Sequence, residues 1–164
     1  MNEIFRKRRS IRAYLDKEIE KEKIESIKEA ITSAPSAGNL QAYEACYTTE
    51  KGKIKEIAEA CMQEFIAQAG AVFVFFADPG RSKRKYGERG ELYSLQDASI
   101  ACAYAHLEAS SLGLGSCWVG YFKDEELRKI CRAGSNLVPV AVLPVGYPAE
   151  NPKGREKEMR LKRI

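Results

Sequence analysis

The sequence predicts a layered domain, α+β or α/β, with helices covering a sheet of four strands. Three observations carry that prediction. Four β-rich segments alternate with helical ones. One of the four, Ala71–Ala77 (AVFVFFA), is apolar at every position, the pattern of a central strand covered on both faces. And 164 residues, 45% hydrophobic and 30% charged, make one globular domain, taken as residues 1–164, that needs no disulfide or metal to fold.

The elements follow in order. Ile24, Ile27, Ala30, Ile31 and Ala34 recur at helical spacing, and Pro35 stops that helix before the loop Ser36-Ala37-Gly38-Asn39. Ala45–Thr49 reads as a strand closed by Lys51-Gly52. Ile54, Ile57, Ala58 and Cys61 mark a second amphipathic helix. Asp78–Gly90 is charged, with three glycines and a proline, and is expected to be a long loop. A long Ala- and Ser-rich helix is expected from about Leu92 to Leu112, buried among close neighbours and ended by Gly113. Gly115–Tyr121 is a third strand. Lys123–Cys131 is a short helix with acids in its first turn. Val138–Tyr147 is the last strand, and its Pro139 and Pro144 suit strand ends, edges or bulges. Pro148–Ile164 is too polar to form a core element. Its two open alternatives are disorder and an extended path over another subunit.

Several classes of function are excluded or disfavoured. No apolar run spans a bilayer, so no membrane partner is expected. No apolar signal stretch follows the charged N-terminal residues, and the expected location is the cytoplasm. The five cysteines contain no CxxC pair, which removes zinc-ribbon and thioredoxin-type sites; most are expected to be reduced, buried small hydrophobes, and no metal is expected. His106 is the single histidine and lies in a helical stretch, so a Ser-His or Cys-His nucleophile is disfavoured. There is neither GxGxxG nor Walker A. Net charge is +4, concentrated at the ends: five of seven residues in Arg6–Arg12 and six of eleven in Lys153–Arg163 are basic. A nucleic-acid surface would interleave aromatics with these cations, and only Phe5 and Tyr14 flank the first cluster, so no nucleic acid is expected.

Four segments could carry chemistry. In Arg8-Arg9-Ser10-Ile11-Arg12, an extended backbone turns residues 8, 10 and 12 to one side, offering two guanidiniums and a hydroxyl to a phosphate. Pro35-Ser36-Ala37-Gly38-Asn39-Leu40-Gln41 combines small residues with hydrogen-bonding groups. Gly120, in Cys117-Trp118-Val119-Gly120-Tyr121-Phe122, would let a ring system approach the backbone. Lys153 and Arg155 place two cations in the tail. Taken alone, the arginine segment reads better as a solvated turn and the Pro35–Gln41 segment as a helix-terminating loop, the Gly120 segment reads equally well as an ordinary core strand, and the tail cations are compatible with a flexible chain end.

Together, in this order, the segments resemble the FMN-dependent nitroreductases, NAD(P)H-using flavin oxidoreductases. RRSIRAY, SAPSAGNLQ, the strand ending in Ala77-Asp78, the stretch YGERGELYSLQDASIACAYAHLEASSLGLGSCWVGYF, and LPVGYPAENPKGR carry the resemblance over nearly the whole chain. It implies an α+β fold with a central mixed sheet flanked by helices, an obligate homodimer with FMN at the subunit interface, and a C-terminal tail exchanged between subunits. It implies that Arg8, Arg9, Ser10 and Arg12 hold the FMN phosphate and ring edge, with Arg12 at the N1–O2 side. Pro35, Ser36, Ala37, Asn39 and Gln41 would reach the flavin largely from the partner chain; Ala42 stands where the family often has proline. Gln63 matches a polar position near the ribityl or ring, Val119, Gly120 and Tyr121 the strand facing N5, and Lys153 and Arg155 the tail cations at the phosphate. No catalytic side chain is then required. The expected reaction is hydride transfer from NADH or NADPH to the flavin and on to a small acceptor, a nitroaromatic, quinone or similar, by ping-pong exchange. Flavin fragmentation, reductive dehalogenation, or FMN binding without turnover are the alternatives on the same fold. The basic Asp78–Gly90 segment is a candidate cover for the site.

Overall fold

Strand β2 (Ala71–Ala77) organises the molecule, because its alternate side chains belong to two different cores. The computed structural model describes residues 3–154, 158 and 160–162. Val72, Val74 and Phe76 face one layer, built by helices α3 (Lys51–Cys61) and α6 (Asp124–Cys131) through Ile54, Ile57 and Leu127. Phe73 and Phe75 face the other, built by α2 (Lys21–Thr32) and α5 (Gly90–Ser111) through Ile27, Ile31, Ala101 and Ala105. The three phenylalanines of β2 are each at most 1% exposed, so every position of the expected double-sided strand is used. Fully burying one such ring contributes about 2–3 kcal/mol.

The sheet order is β1-β2-β4-β3, with β1 at Tyr43–Thr48, β3 at Gly115–Ser116 and β4 at Val138–Gly146. All its ladders are antiparallel. The expected mixed sheet is therefore corrected: the one parallel pairing among the described residues is the single bridge Ser10–Ser116. Hydrophobic alternation records which face a residue occupies and is silent on strand direction.

The prolines of β4 are accommodated in two ways. Pro139 lies where the β2–β4 register shifts between Phe75 and Phe76. Pro144 sits in an interior strand, but its ring nitrogen points toward β3. Val142 exchanges both backbone hydrogen bonds with Val119 at 2.9 Å, so Pro144, two residues on, faces the same way. Cys117 N–H reaches Pro144 O at 3.4 Å, and Pro144 has no N–H to answer it. The expected strand Gly115–Tyr121 consequently survives as two ladder residues and the isolated Val119–Val142 bridge, in unchanged register.

Asp78–Gly90 is the second correction. It is a helix, α4 (Pro79–Tyr86), followed by a 3-10 turn at Gly87–Arg89, not a loop. Asp78 caps it, accepting from Arg81 N at 3.0 Å, and Pro79 opens the first turn, where its missing N–H is harmless. The helix packs tightly on α5: a Cβ on Gly90 would lie 2.5–2.8 Å from the backbone of Ser82 and Lys83. The remaining short helix, α1 (Glu3–Lys7), precedes the N-terminal arm. No described helix is long and apolar enough to cross a membrane.

The arm Ser10–Leu15 is threaded between two segments of its own chain. Ile11 N donates to Ser116 O at 3.0 Å on one side; Leu15 N donates to Tyr147 O at 2.8 Å and Ala149 N to Ala13 O at 2.9 Å on the other. The tail thus begins antiparallel to the arm, through the Tyr14–Pro148 bridge.

Candidate functional site

Two clefts gather the residues singled out in the sequence, and they lie at opposite ends of α5. The first, about 610 Å³, is lined by Lys7 at the end of α1, Arg8 and Arg9 that lead from it into the arm, Ile11 and Leu15 of the arm, the α5 end and turn at Ser110 and Gly113–Ser116, and tail residues Pro148–Asn151. Arg8 is not free to wander. Its Nη1 donates to His106 Nε2 at 2.8 Å, and the opposite ring nitrogen, Nδ1, lies 2.5 Å from Ser116 Oγ. An arginine can only donate. Nε2 is therefore the bare nitrogen, and Nδ1 carries the proton toward Ser116. Burial, aided by the Arg8 charge, lowers the His106 pKa to about 4, so the ring stays neutral in this role.

Arg9 donates to the carbonyls of Arg6 and Arg8, and its guanidinium packs where a Cβ on Gly154 would stand. Arg12 is exposed, and its backbone N–H is held by the Glu150 carboxylate. Burial raises the Cys117 thiol, and Arg12, Ser10 and Arg8 oppose that rise. Among the described residues no carboxylate forms an ion pair with the guanidinium of Arg8, Arg9 or Arg12. The cleft also holds the Glu150 carboxylate, and its Lys7 ammonium is paired with Glu3 at 2.9 Å; the cations it leaves without a carboxylate partner are the Arg8 and Arg9 guanidiniums, a donor type suited to a phosphate monoester.

The second cleft, about 620 Å³, is lined by Pro35, Ser36 and Ala37 together with Tyr93, Leu95, Gln96, Asp97, Ser99 and Ile100 of α5. Its loop is fixed by one buried carboxylate. Asp97, 2% exposed, accepts from Ala37 N at 2.9 Å and from Ala42 N at 3.2 Å. Between those anchors Gly38, Asn39 and Gln41 all have positive φ, near 50°. A non-glycine residue held left-handed costs about 1 kcal/mol, and Gln41 is restrained from three directions. Its N–H donates to Ser36 Oγ at 2.9 Å, its carbonyl accepts from Arg81 at 2.9 Å, and its side-chain amide donates to Thr32 O at 3.2 Å. Arg81 belongs to α4, as do the ends of Lys85 and Tyr86 that crowd Gly38. The basic segment is thus a brace on this loop.

The other sequence candidates fall elsewhere. Gln63 precedes the 3-10 turn Glu64–Gln68 and lines neither cleft; Gln68 instead approaches the arm, 3.4 Å from Tyr14 N. Val119 is buried against β4, whereas Gly120 and Tyr121 are exposed. Lys153 is exposed in the tail, and Arg155 lies outside the described residues.

His106 and Asp97 went unassigned in the sequence reading, yet a signal for both was present. The buried stripe of α5 runs through Ser94, Asp97, Ala98, Ala101, Cys102, Ala105, His106 and Ala109. Two ionisable groups on an otherwise small-residue stripe require buried partners. Their partners are the two segments that line the clefts.

The fold is thus a three-layer α+β domain with a cationic cleft at one end of its central helix and a strained, small-residue loop at the other. The comparisons place it in a family. The model of the nitroreductase family matches residues 5–70 and 47–147. A relative from Archaeoglobus fulgidus is 35% identical over 159 residues, 94% of this chain and 88% of that protein. An FMN reductase [NAD(P)H] from Bacillus subtilis is 32% identical, covering 92% of this chain and 68% of its own. Among solved structures, an FMN-dependent nitroreductase from Clostridium difficile superposes with a TM-score of 0.82 at 31% identity, over 93% of this chain and 90% of that one. The chain belongs to the nitroreductase family.

Proposed function

We propose that this chain is an FMN-dependent NAD(P)H oxidoreductase that works as a two-fold homodimer, each flavin held by the arginine cleft of one copy and the Ser36–Gln41 loop of the other. One observation carries the reading. Gln96 and Ser110 line the two clefts on the same helix, and roughly 20 Å of helix separates them at about 1.5 Å per residue. A single copy cannot bring both to one ligand. An isologous pair with antiparallel α5 helices brings them together twice.

When bound, FMN supplies the two-electron chemistry, taking a hydride from NAD(P)H and passing the electron pair to a second substrate. The protein's part is binding and orientation. Arg8 and Arg9, with Ser10 and the tail cation Lys153, would hold the phosphate. His106 keeps the Arg8 fork in one orientation, so little side-chain entropy is lost on binding. The exposed Arg12 offers a positive charge to the ring edge, where it favours the electron-rich form of the cofactor. The exposed backbone at Gly120 leaves room for a planar group: a Cβ there would meet nothing closer than Trp118 Nε1, at 3.7 Å. No buried acid or base is needed, since water supplies protons to an open site. The acceptor class is a small, flat oxidant such as a nitroaromatic or quinone, exchanged for nicotinamide in the same space.

The test is flavin titration of stripped protein with mass measurement in solution. One FMN per chain, a two-chain mass, and NAD(P)H oxidation with a quinone giving parallel double-reciprocal plots are expected. A monomer that takes up no flavin overturns the reading. A flavin-bound dimer that is reduced yet passes electrons to no acceptor keeps the site and removes the turnover.

A further inference from the structure

Between Arg81 and Arg89 the chain carries five cations, and the structure divides them. Arg81 is spent on the neighbouring loop: it pairs with Asp78 at 3.4 Å and donates to Gln41 O at 2.9 Å. Lys83 is spent on Glu91 at 2.6 Å and Glu88 at 3.6 Å. Among the described residues no carboxylate pairs with Arg84, Lys85 or Arg89, and all three are exposed. Two of these three border the second cleft. The Lys85 ammonium reaches the Ser36–Gln41 loop, where a Cβ on Gly38 would lie 2.7 Å from its Nζ. Arg89 Nε donates to Tyr93 Oη at 3.1 Å, with the guanidinium 5.6 Å from the centre of that ring, and Tyr93 lines the cleft with Pro35 and Ser36. Tyr86 joins the two: its ring meets Tyr93 edge-on at 5.0 Å and has the Lys85 ammonium 5.4 Å from its centre. The rim is thus a cation, two aromatic rings and a second cation in sequence.

We propose, resting on the flavin reading above, that Lys85 and Arg89 select a reductant bearing a ribose 2′-phosphate, so that the protein takes NADPH in preference to NADH. The flavin's own phosphate belongs to the arginine cleft at the far end of α5, which leaves these cations for the second phosphorylated ligand. NADPH differs from NADH by one phosphate monoester, and such a group carries about two negative charges at neutral pH. An ammonium and a guanidinium fork together match it in charge and in donors. Neither cation has a carboxylate partner to give up among the described residues. The two tyrosines offer apolar faces to the attached adenine. A contact so far from the transferred hydride acts equally on bound substrate and transition state, so it appears in KM and not in kcat.

The test is steady-state kinetics of the flavin-loaded protein with NADPH and with NADH, benzoquinone as acceptor, beside calorimetric titration with adenosine 2′,5′-bisphosphate and 5′-AMP. Wild type should favour NADPH in kcat/KM. Lys85→Ala and Arg89→Ala should each lower the NADPH value about tenfold through KM and leave the NADH value and the flavin content within about twofold. Lys85→Arg should keep the preference, and so should Lys83→Ala, whose cation is already paired. The bisphosphate should bind wild type at least about tenfold more tightly than 5′-AMP, and the Lys85→Ala, Arg89→Ala double variant should lose that difference. A wild type indifferent to the 2′-phosphate, losses equal for NADH and NADPH, or the same loss in Lys83→Ala overturns the proposal. A chain that takes up no flavin fails the flavin reading instead; there, as where Lys85→Ala sheds its flavin, the bisphosphate titration of wild type and Arg89→Ala decides for or against the cation pair.

Discussion

Arg8 donates to His106 Nε2 at 2.8 Å, and the same imidazole faces Ser116 Oγ at 2.5 Å, so one neutral ring near the C-terminal end of α5 joins the residues leading into the N-terminal arm to β3. Folding requires the unprotonated ring. Its pKa is about 4 in the folded chain against an ordinary 6.5, so between those values the unfolded chain binds the extra proton. Stability therefore rises with pH across that window, is complete above 6.5, and is lost as pH falls toward 4, by about 3 kcal/mol. Urea denaturation of wild type and His106→Gln at pH 7, 6, 5 and 4.5 measures it. The difference between the two proteins should shrink by that amount toward low pH; a constant difference refutes the assignment.

Asp97 clamps the Ser36–Gln41 loop through two backbone amides. Asp97→Asn replaces one accepting oxygen with an amide that faces an N–H. We expect a loss of about 2 kcal/mol in global stability and faster hydrogen exchange at Ala37 and Ala42. Exchange unchanged at both amides would show that the loop holds itself.

Two glycine-to-alanine changes should have opposite signs. Gly90→Ala drives a methyl into the Ser82–Lys83 backbone and should cost about 1–3 kcal/mol as α4 and α5 separate. Gly52→Ala, in α3 with nothing within 4 Å, should stabilise by about 0.5–1 kcal/mol. Chemical denaturation of the pair tests the helix contact directly.

Truncation after Tyr147 removes the partner strand of Ala13 and the carboxylate on Arg12 N. On the proposed reading, flavin affinity of the shortened chain drops at least about tenfold. Fluorescence titration reads this independently of turnover, and unchanged affinity would place the phosphate elsewhere.

The sequence was most legible where burial alone decides structure. AVFVFFA could be nothing but a doubly covered strand, and the small residues of α5 do lie under two neighbours. It was least legible where a single backbone donor decides. Pro144 breaks a ladder that the apolar pattern of Gly115–Tyr121 continues. Asp78-Pro79 is a helix-start signal, but the charged residues after it form no apolar face, so the segment read as a loop. The arginine arm and the small-residue loop were legible as donor sets. Their separation along α5 was not, because distance between segments is a tertiary property.

That separation also predicts how damage is shared. If each flavin draws on both copies, a subunit impaired at Arg8 and another impaired at Asp97 are not two failures of the same kind. Mixed, they assemble one site carrying both lesions and one carrying neither, so blending two inactive preparations should restore flavin uptake to about half of the hybrid's sites.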